Sequence, residues 1–212
     1  MYETEREDLI KVLRGKGIID ENVLKAFLKV ERHLFVPEII KPHAYSDVAL
    51  PIGHEQTISQ PYTVAFMTQA LELNGRSKIL EIGTGSGFQA AVLVEMGMKV
   101  YSIERNFEIH KNTQKLFDKL GIRAALIYGD GTIGWEEAAP YDRIIVTAGG
   151  PEVPNRLLSQ LAVGGKMVIP VGDRNCQAMQ IITKVSGKEY SKKEVPNFKF
   201  VPLIGKQGWK SE

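Results

Sequence analysis

A glycine-rich turn between a short apolar run and a helix-forming stretch is the first feature of this sequence that could do chemistry. The run Lys78–Ile82 leads into Glu81-Ile82-Gly83-Thr84-Gly85-Ser86-Gly87. Glycines let the backbone adopt positive φ and approach a ligand closely, and free amide groups at the following helix start face the crevice beyond the strand ends. A dinucleotide-binding turn has the spacing G-x-G-x-x-G, whereas this one has G-x-G-x-G after an acidic residue. The pattern therefore favours a nucleoside ligand other than NAD.

Acidic residues stand at the ends of the next two strands that the pattern predicts. Glu104 comes 17 residues after Gly87, where a carboxylate can accept hydrogen bonds from both hydroxyls of a ribose. Asp130 lies in Gly129-Asp130-Gly131, where it could accept from an exocyclic amine such as that of adenine. Each feature alone has a structural explanation, as a glycine turn, a solvated acid or an ordinary Asp-Gly turn. One bound nucleoside would explain all three together.

The elements that position these residues change in character near residue 75. Before it, apolar spacing predicts helices over 5–14 and 21–30, a turn-rich segment from Glu31 to Ser59, and a third helix that Pro61 begins and Asn74-Gly75 ends. After it, β-branched or apolar runs alternate with helical stretches, which is typical of a mostly parallel sheet. The helices of this second part are predicted near 87–96, 106–119 and 153–161.

Seven strands are predicted for the sheet, the last two of them as an antiparallel edge. They are Lys78–Ile82, Lys99–Ile103, Ala124–Tyr128, Arg143–Thr147, Lys166–Val171, Ala178–Lys184 and Phe200–Ile204. We therefore expect a doubly wound, Rossmann-like α/β fold in a single domain over 1–212. Its core would span 76–212, and a helical, proline-rich cap would span 1–75.

Composition and charge exclude several classes of protein. The 27 Lys and Arg against 25 Asp and Glu give a net charge of +2, which is too even for the phosphate backbone of nucleic acid to be the expected partner. No apolar run approaches the roughly 18 to 20 residues that span a bilayer, and the first residues are charged throughout. We therefore expect a cytoplasmic protein that binds neither nucleic acid nor membrane.

The possible metal ligands and thiols are few. Cys176 is the only cysteine, which rules out an intramolecular disulfide and a cysteine-based zinc cluster. We expect it to be a buried or half-buried thiol. The four histidines have no metal-like spacing, so no metal site is predicted.

The glycine turn and several further motifs resemble those of the class I S-adenosylmethionine-dependent methyltransferases. The first motif of that class has the form E-x-G-x-G-x-G, which is found at Glu81–Gly87. Thr57-Ile58-Ser59-Gln60-Pro61 also resembles the most diagnostic signature of the protein-L-isoaspartate O-methyltransferase family. The resemblance runs from about Val30 to Gly205 and includes Val36-Pro37, Leu50-Pro51-Ile52-Gly53, Gly129-Asp130-Gly131 and Phe200-Val201-Pro202-Leu203.

This resemblance implies transfer of a methyl group from S-adenosyl-L-methionine to the free α-carboxylate of L-isoaspartyl residues in damaged proteins and peptides. It implies that Ser59 is the catalytic residue and that its hydroxyl donates a hydrogen bond to the carboxylate. Substrate contacts are implied for Ser59, Thr147, Ala148, Val201 and Leu203. Cofactor contacts are implied for the signature, the glycine turn and the two strand ends: Gln56, Thr57, Ile58, Glu81, Gly83, Thr84, Gly85, Ser86, Gly87, Glu104, Arg105, Asp130 and Gly131.

The implied reaction needs no general base. The α-carboxyl of an isoaspartyl residue has a pKa near about 3.5 to 4, so it is already ionised at neutral pH. Catalysis then reduces to positioning the carboxylate and the methyl group in a dry crevice. On pattern alone, Ser59 could equally be a cap for the helix that begins near Pro61.

Three other functions remain as alternatives. A small-molecule methyltransferase would need a base such as His54 or Tyr62 to activate its acceptor. A non-catalytic nucleoside-binding or interaction module could retain the glycine turn without the chemistry. An NAD oxidoreductase is disfavoured by the glycine spacing. For the implied enzyme we expect a monomer whose partners are isoaspartyl proteins and peptides.

Overall fold

The computed structural model describes residues 2–210 and contains two sheets. A short antiparallel hairpin consists of β1 (Leu50–Gly53) and β2 (Gln56–Ile58). The strands of the main sheet are β3 (Lys78–Ile82), β4 (Lys99–Glu104), β5 (Ala125–Tyr128), β6 (Tyr141–Val146), β7 (Leu161–Gly172), β8 (Gln177–Lys184) and β9 (Tyr190–Phe198). Their order across the sheet is β5-β4-β3-β6-β7-β8-β9.

Six α-helices and four 3-10 helices surround this sheet in the described part of the chain. The α-helices are α1 (Glu3–Gly15), α2 (Glu21–Lys29), α3 (Pro61–Ala70), α4 (Phe88–Glu95), α5 (Phe107–Leu120) and α6 (Asn155–Gln160). The 3-10 helices span Arg32–Phe35, Glu38–His43, Gly131–Ile133 and Glu136–Ala138. Polar caps set two of the starts, since the side chain of Asp20 accepts from two backbone N–H groups of α2 and that of Asn106 does so in α5.

The main sheet is parallel from β5 to β7 and antiparallel from β7 to β9. Strand β3 pairs in parallel with β4 on one side and with β6 on the other, so successive strands are added outward in one direction up to β5 and in the opposite direction from β6. Ligands of open α/β sheets bind at this kind of switch point, beyond the carboxyl ends of the strands. The predicted Rossmann-like fold with an antiparallel edge is confirmed.

The buried residues divide into two apolar clusters. The larger one joins α1, α2, α3 and α4, and the smaller one includes Leu80, Ile82, Ile144 and Leu157. Residues 79–82 of β3 are all buried, as expected for a strand that is covered on both faces. The core thus fixes the strand ends that carry the glycine turn.

The prediction for the last strand was wrong. The strand is Tyr190–Phe198, and Phe200–Ile204 runs as an irregular segment against Gly149. The residues of β9 are mostly exposed because it is the outermost strand, so its sequence has no apolar face that would predict a strand. Phe200–Ile204 is apolar because Leu203 packs into the smaller cluster, not because the segment belongs to the sheet.

Smaller differences concern segment bounds and one side chain. β7 begins at Leu161 instead of Lys166, and the hairpin β1–β2 lies inside the segment predicted as extended and turn-rich. Cys176 is exposed, contrary to the expected buried or half-buried thiol, because it follows the surface turn that joins β7 to β8. Within residues 2–210, no helix is both long and apolar enough to cross a membrane.

Candidate active site

A cleft of about 310 Å³ lies beyond the carboxyl ends of β3, β4 and β6. The glycine turn lines it, together with the hairpin from its turn through β2 to Ser59 and the irregular segment after β9. Most residues predicted for the site line this main cleft: Gln56, Thr57, Ile58, Ser59, Gly83, Thr84, Gly85, Ser86, Glu104, Arg105, Gly131, Thr147, Ala148, Val201 and Leu203. Glu81, Gly87 and Asp130 do not line it.

The glycine turn holds an unusual backbone path at each of its three glycines. Gly83, Gly85 and Gly87 have φ values of +93°, +52° and +86°, which other residues rarely adopt. A Cβ on Gly83 would lie 2.5 Å from Thr147 Oγ1. A Cβ on Gly87 would overlap Phe117 and Thr113 of α5, so this glycine allows close packing behind the turn and does not face the cleft.

Glu104 connects the glycine turn to the start of α5. Its Oε2 accepts from the Gly85 backbone N–H at 2.9 Å, and its Oε1 accepts from the Asn106 backbone N–H at 2.8 Å. The residue is only 6% exposed, yet it lines the cleft. Each carboxylate oxygen retains a lone pair, so the arrangement is compatible with the predicted ribose contacts.

Glu81 lies behind the turn and is fully buried. Its Oε2 accepts from Ser102 Oγ, whose oxygen is 2.6 Å from Thr84 Oγ1, and its Oε1 has no partner among the described residues. Burial raises the pKa of Glu81 to about 8, and the hydrogen bond from Ser102 only partly opposes this shift. Glu81 therefore supports the turn from beneath as a mostly neutral carboxyl at pH 7.

Replacing Glu81 by glutamine should change how stability depends on pH. An unfolded glutamate has a pKa near 4.5, so between that value and about 8 the folded protein keeps a proton that the unfolded chain releases. The free energy of unfolding of the unmodified protein should therefore fall as the pH rises through this window, and Glu81→Gln should remove that component of the fall. Urea unfolding between about pH 5 and pH 8 measures the free energy of unfolding of each variant, with Glu108→Gln at an exposed position as the control. The same pH dependence in both variants would show that Glu81 does not carry the proton.

Asp130 binds the chain near its carboxyl end, outside the main cleft. Its Oδ1 accepts from the backbone N–H and the hydroxyl of Thr132 at 2.9 and 2.7 Å, and its Oδ2 accepts from the Lys206 backbone N–H at 2.8 Å. The residue lines a smaller neighbouring cavity together with Trp209. Asp130 thus holds the segment after Leu203 in place, and a contact with adenine stays a prediction.

Ser59 lies at the junction of the main cleft with a second cleft of about 540 Å³. Among the described residues, no group hydrogen-bonds to its hydroxyl. The alternative that Ser59 caps α3 was wrong, since Gln60 occupies the N-cap position and Asp47 Oδ1 accepts from the Tyr62 backbone N–H at 2.8 Å. The cap comes from a distant loop, and the Ser59 hydroxyl is left available to a ligand.

The second cleft runs away from the glycine turn. One wall is the continuous stretch 195–201, and the other carries Asp47, Ala49, Gln60 and Tyr62. Four residues line both clefts: Thr57, Ser59, Thr147 and Val201. The Thr147 hydroxyl is already engaged, since it donates to the carbonyl oxygens of Ile82 and Gly83 at 3.0 and 2.7 Å. Of the three hydroxyls at the junction, those of Thr57 and Ser59 have no hydrogen-bond partner among the described residues, and Ser59 is the one that the family signature marks.

Gln89 is a cleft residue that the sequence analysis did not identify. Its Nε2 donates to Thr68 Oγ1 at 3.0 Å, and the Thr68 hydroxyl donates in turn to the Val64 carbonyl at 2.7 Å. These bonds fix the amide orientation and leave the buried Oε1 without a partner among the described residues. A glutamine in the otherwise apolar stretch Phe88–Leu93 was the signal that could have pointed to it.

Metal binding has no candidate in residues 2–210, where no three His, Cys, Asp or Glu side chains come together in a way that could hold an ion. The main cleft offers a ligand the glycine turn, the carboxylate of Glu104 and the amide oxygen of Gln89. Together with the strand order, these features are those of a nucleoside-binding site at the switch point of an open α/β sheet.

Comparisons with known proteins specify the family. Residues 4–208 match the family model described as protein-L-isoaspartate(D-aspartate) O-methyltransferase. A protein-L-isoaspartate O-methyltransferase of Cytophaga hutchinsonii is 51% identical over 207 residues, which cover 98% of this chain and 94% of the relative. The chain belongs to the protein-L-isoaspartate O-methyltransferase family.

Two solved structures resemble this chain over nearly its whole length. A protein-L-isoaspartate O-methyltransferase superposes with a TM-score of 0.87 at 29% identity, covering 96% of this chain and 67% of that one. A candidate enzyme of the same name from Plasmodium falciparum, in complex with S-adenosyl-L-homocysteine, superposes with a TM-score of 0.81 at 26% identity. The match covers 94% of this chain and 98% of that one. The predicted family, methyltransferase activity and S-adenosylmethionine cofactor are confirmed.

The residues of the main cleft fit this cofactor. S-adenosylmethionine carries an ammonium group that needs acceptors, and Gln89 Oε1 is a buried acceptor without a partner among the described residues. The cofactor also carries a ribose, and the carboxylate of Glu104 reaches the same cleft.

Proposed function

We propose that this chain esterifies L-isoaspartyl residues by holding the cofactor in the main cleft and the peptide in the second cleft. The observation that carries the proposal is that the two clefts meet at Thr57, Ser59, Thr147 and Val201. Two ligands that react with each other must share a wall at the reacting atoms. The unpartnered hydroxyl of Ser59 lies on that shared wall.

The cofactor is bound by three groups in this proposal. Glu104 accepts from the ribose hydroxyls, Gln89 Oε1 accepts from the ammonium group, and Gly83 and Gly85 let the backbone approach the ligand. S-adenosyl-L-methionine, when bound, supplies an electrophilic sulfonium methyl group. Arg105, Gly131 and the signature residues Gln56, Thr57 and Ile58 complete the wall of this cleft.

Ser59 orients the substrate carboxylate. The isoaspartyl carboxylate is ionised at neutral pH, so no side chain has to remove a proton from it. The Ser59 hydroxyl donates to one carboxylate oxygen and directs the other towards the main cleft. Because nucleophile and electrophile carry opposite charges, a site that excludes water favours their reaction. The buried side chains of Val64, Met67 and Phe88 in the cleft wall provide that exclusion.

The peptide is recognised along the second cleft, where backbone and side chains of 195–201 face the loop that carries Asp47 and Ala49. Val201 and Leu203 hold fixed positions because Gly149 N–H donates to the Val201 carbonyl and Leu203 N–H donates to the Gly149 carbonyl, both at 2.8 Å. Ala148 lies beside them in the main cleft. A rigid wall of this kind suits recognition of one aberrant backbone linkage in many sequence contexts.

Filling the second cleft should separate peptide binding from cofactor binding. Ala49 is exposed and lines only the second cleft, so Ala49→Trp should block the peptide without disturbing the core. We expect the KM for an isoaspartyl peptide to rise about tenfold or more, a loss of about 1.4 kcal/mol in binding, while the cofactor Kd stays within about twofold. Steady-state kinetics and calorimetry with S-adenosyl-L-homocysteine measure the two quantities. An unchanged peptide KM would show that the peptide does not bind in this cleft.

We also propose a cytoplasmic monomer in which 1–75 forms a cap over the core 76–212. A single cysteine is compatible with a reducing compartment. Helix α2 of the N-terminal part packs on α4 of the core, which supports the cap. A specific activity that changes as the enzyme is diluted would contradict the monomer.

A further inference from the structure

The side chain of Asp47 hydrogen-bonds to Gln60 and Tyr62, the residues on either side of Pro61 just after Ser59. Its Oδ1 accepts from the Tyr62 backbone N–H at 2.8 Å. The side-chain amide of Gln60 donates both to Asp47 Oδ2, at 3.1 Å, and to the Asp47 backbone carbonyl, at 2.9 Å. One residue, 13 positions before Gln60 in the chain, thus fixes the first turn of α3.

The loop that carries Asp47 is itself fixed from both sides. The guanidinium of Arg32, which is 1% exposed, donates from Nε to the Ala44 carbonyl at 2.8 Å and from Nη2 to the Val48 carbonyl at 3.4 Å. Lys16 Nζ lies 2.6 Å from Asp47 Oδ2 and 5.4 Å from the centre of the Tyr62 ring. The Asp47 side chain is 11% exposed, so these contacts operate where water competes weakly.

Ser59 has no comparable anchor of its own. Its hydroxyl has no hydrogen-bond partner among the described residues, so the backbone alone fixes the Cβ from which the hydroxyl takes one of its staggered rotamers. That backbone is fixed on one side by the pairing of Ile58 with Leu50 in the hairpin and on the other by the contacts of Asp47 with Gln60 and Tyr62. Loss of Asp47 would release the second side.

We infer that Asp47 is a positioning residue for methyl transfer, which acts by fixing the backbone that presents the Ser59 hydroxyl to the substrate carboxylate. The inference rests on the proposed role of Ser59. A misplacement of about 1 Å in a reacting geometry can lower a rate by about 100-fold. Removing Asp47 should therefore reduce turnover although the side chain has no place among the reacting groups.

A double-mutant cycle tests this inference. Asp47→Ala should lower kcat by about 10- to 100-fold and leave the cofactor Kd within about twofold. In a Ser59→Ala background the same change should lower kcat by less than about threefold, because the group that it positions is already gone. Asp47→Asn should recover part of kcat, because its amide oxygen can still accept from the Tyr62 N–H while its NH₂ group cannot accept from Gln60.

Asp20→Ala is the matched control, since Asp20 caps α2 by accepting from two backbone N–H groups and lines neither cleft. It should leave kcat unchanged. If Asp47→Ala does not fold, the same cycle is run with Gln60→Leu, which keeps the volume and removes both Gln60–Asp47 hydrogen bonds.

Each outcome distinguishes the two proposals. If Ser59→Ala alone leaves kcat unchanged, the proposed role of Ser59 fails and the inference fails with it. If Ser59→Ala lowers kcat but the effects of the two substitutions multiply in the double variant, Asp47 does not act through Ser59 and only the inference is overturned. The inference is also overturned if Asp20→Ala lowers kcat as much as Asp47→Ala does.

Discussion

Replacing Ser59 by alanine should lower kcat for methylation of an isoaspartyl peptide by about 10- to 100-fold, which corresponds to the roughly 1.5 to 3 kcal/mol of a hydrogen bond to a charged group. The hydroxyl lies at the junction of the two clefts and has no partner among the described residues. Its loss should therefore affect the oriented carboxylate and leave cofactor binding within about twofold. Steady-state kinetics at saturating cofactor, together with calorimetry of S-adenosyl-L-homocysteine, measure the two effects.

The matched control is Ser46→Ala, since Ser46 is an exposed serine that lines neither cleft. Ser46→Ala should change neither kcat nor the cofactor Kd. Equal losses of turnover and of cofactor affinity in Ser59→Ala would refute the orienting role, because they would indicate that the substitution disturbs the main cleft as a whole.

Replacing Glu104 by alanine should affect mainly the cofactor Kd instead of kcat. We expect cofactor binding to weaken by about 1 to 3 kcal/mol, or about 5- to 150-fold in Kd. Two losses combine in this variant. The ribose loses its proposed charged acceptor, and the backbone N–H groups of Gly85 and Asn106 lose the carboxylate that fixes the glycine turn. At saturating cofactor, kcat should fall by less than about tenfold, because Ser59 and the second cleft are unchanged.

Two further variants serve as comparisons for the cofactor Kd of Glu104→Ala. Glu104→Gln keeps one acceptor oxygen but places an amide NH₂ against a backbone N–H, so we expect a Kd between those of the alanine variant and the unmodified protein. Glu108→Ala removes an exposed carboxylate at the start of α5 and should leave the Kd unchanged. If Glu104→Ala binds the cofactor normally, the predicted ribose contact is wrong.

Strong local patterns made the centre of the fold predictable. β3 was predicted with its observed bounds, and the glycine turn was identified from spacing alone. The edge strand β9 of the main sheet was not predictable, because Tyr190–Phe198 is mostly exposed and its sequence lacks an apolar pattern. The apolar segment Phe200–Ile204, which was predicted as a strand, packs against the loop at Gly149 instead. A strand signal in sequence reports burial more directly than it reports hydrogen bonding.

The site was predictable where its residues follow one another in the chain. The signature around Ser59 and the turn at Gly83 were each visible as a short motif, and both line the main cleft. The contacts of Asp47 with Tyr62 and of Asp130 with Lys206 join residues 15 and 76 positions apart, and only the folded chain brings them together. Capping of α3 by Ser59 was an alternative because sequence reasoning considers only neighbouring residues as caps.

Methyl transfer to the isoaspartyl carboxylate is tested most directly by incorporation of labelled methyl from S-adenosyl-L-methionine into a short isoaspartyl peptide. The control is the identical peptide with ordinary aspartate. We expect incorporation only into the isoaspartyl peptide, as a base-labile ester. Equal incorporation into both peptides, or none into either with cofactor binding intact, would contradict the assigned substrate and favour a small-molecule acceptor or a non-catalytic role.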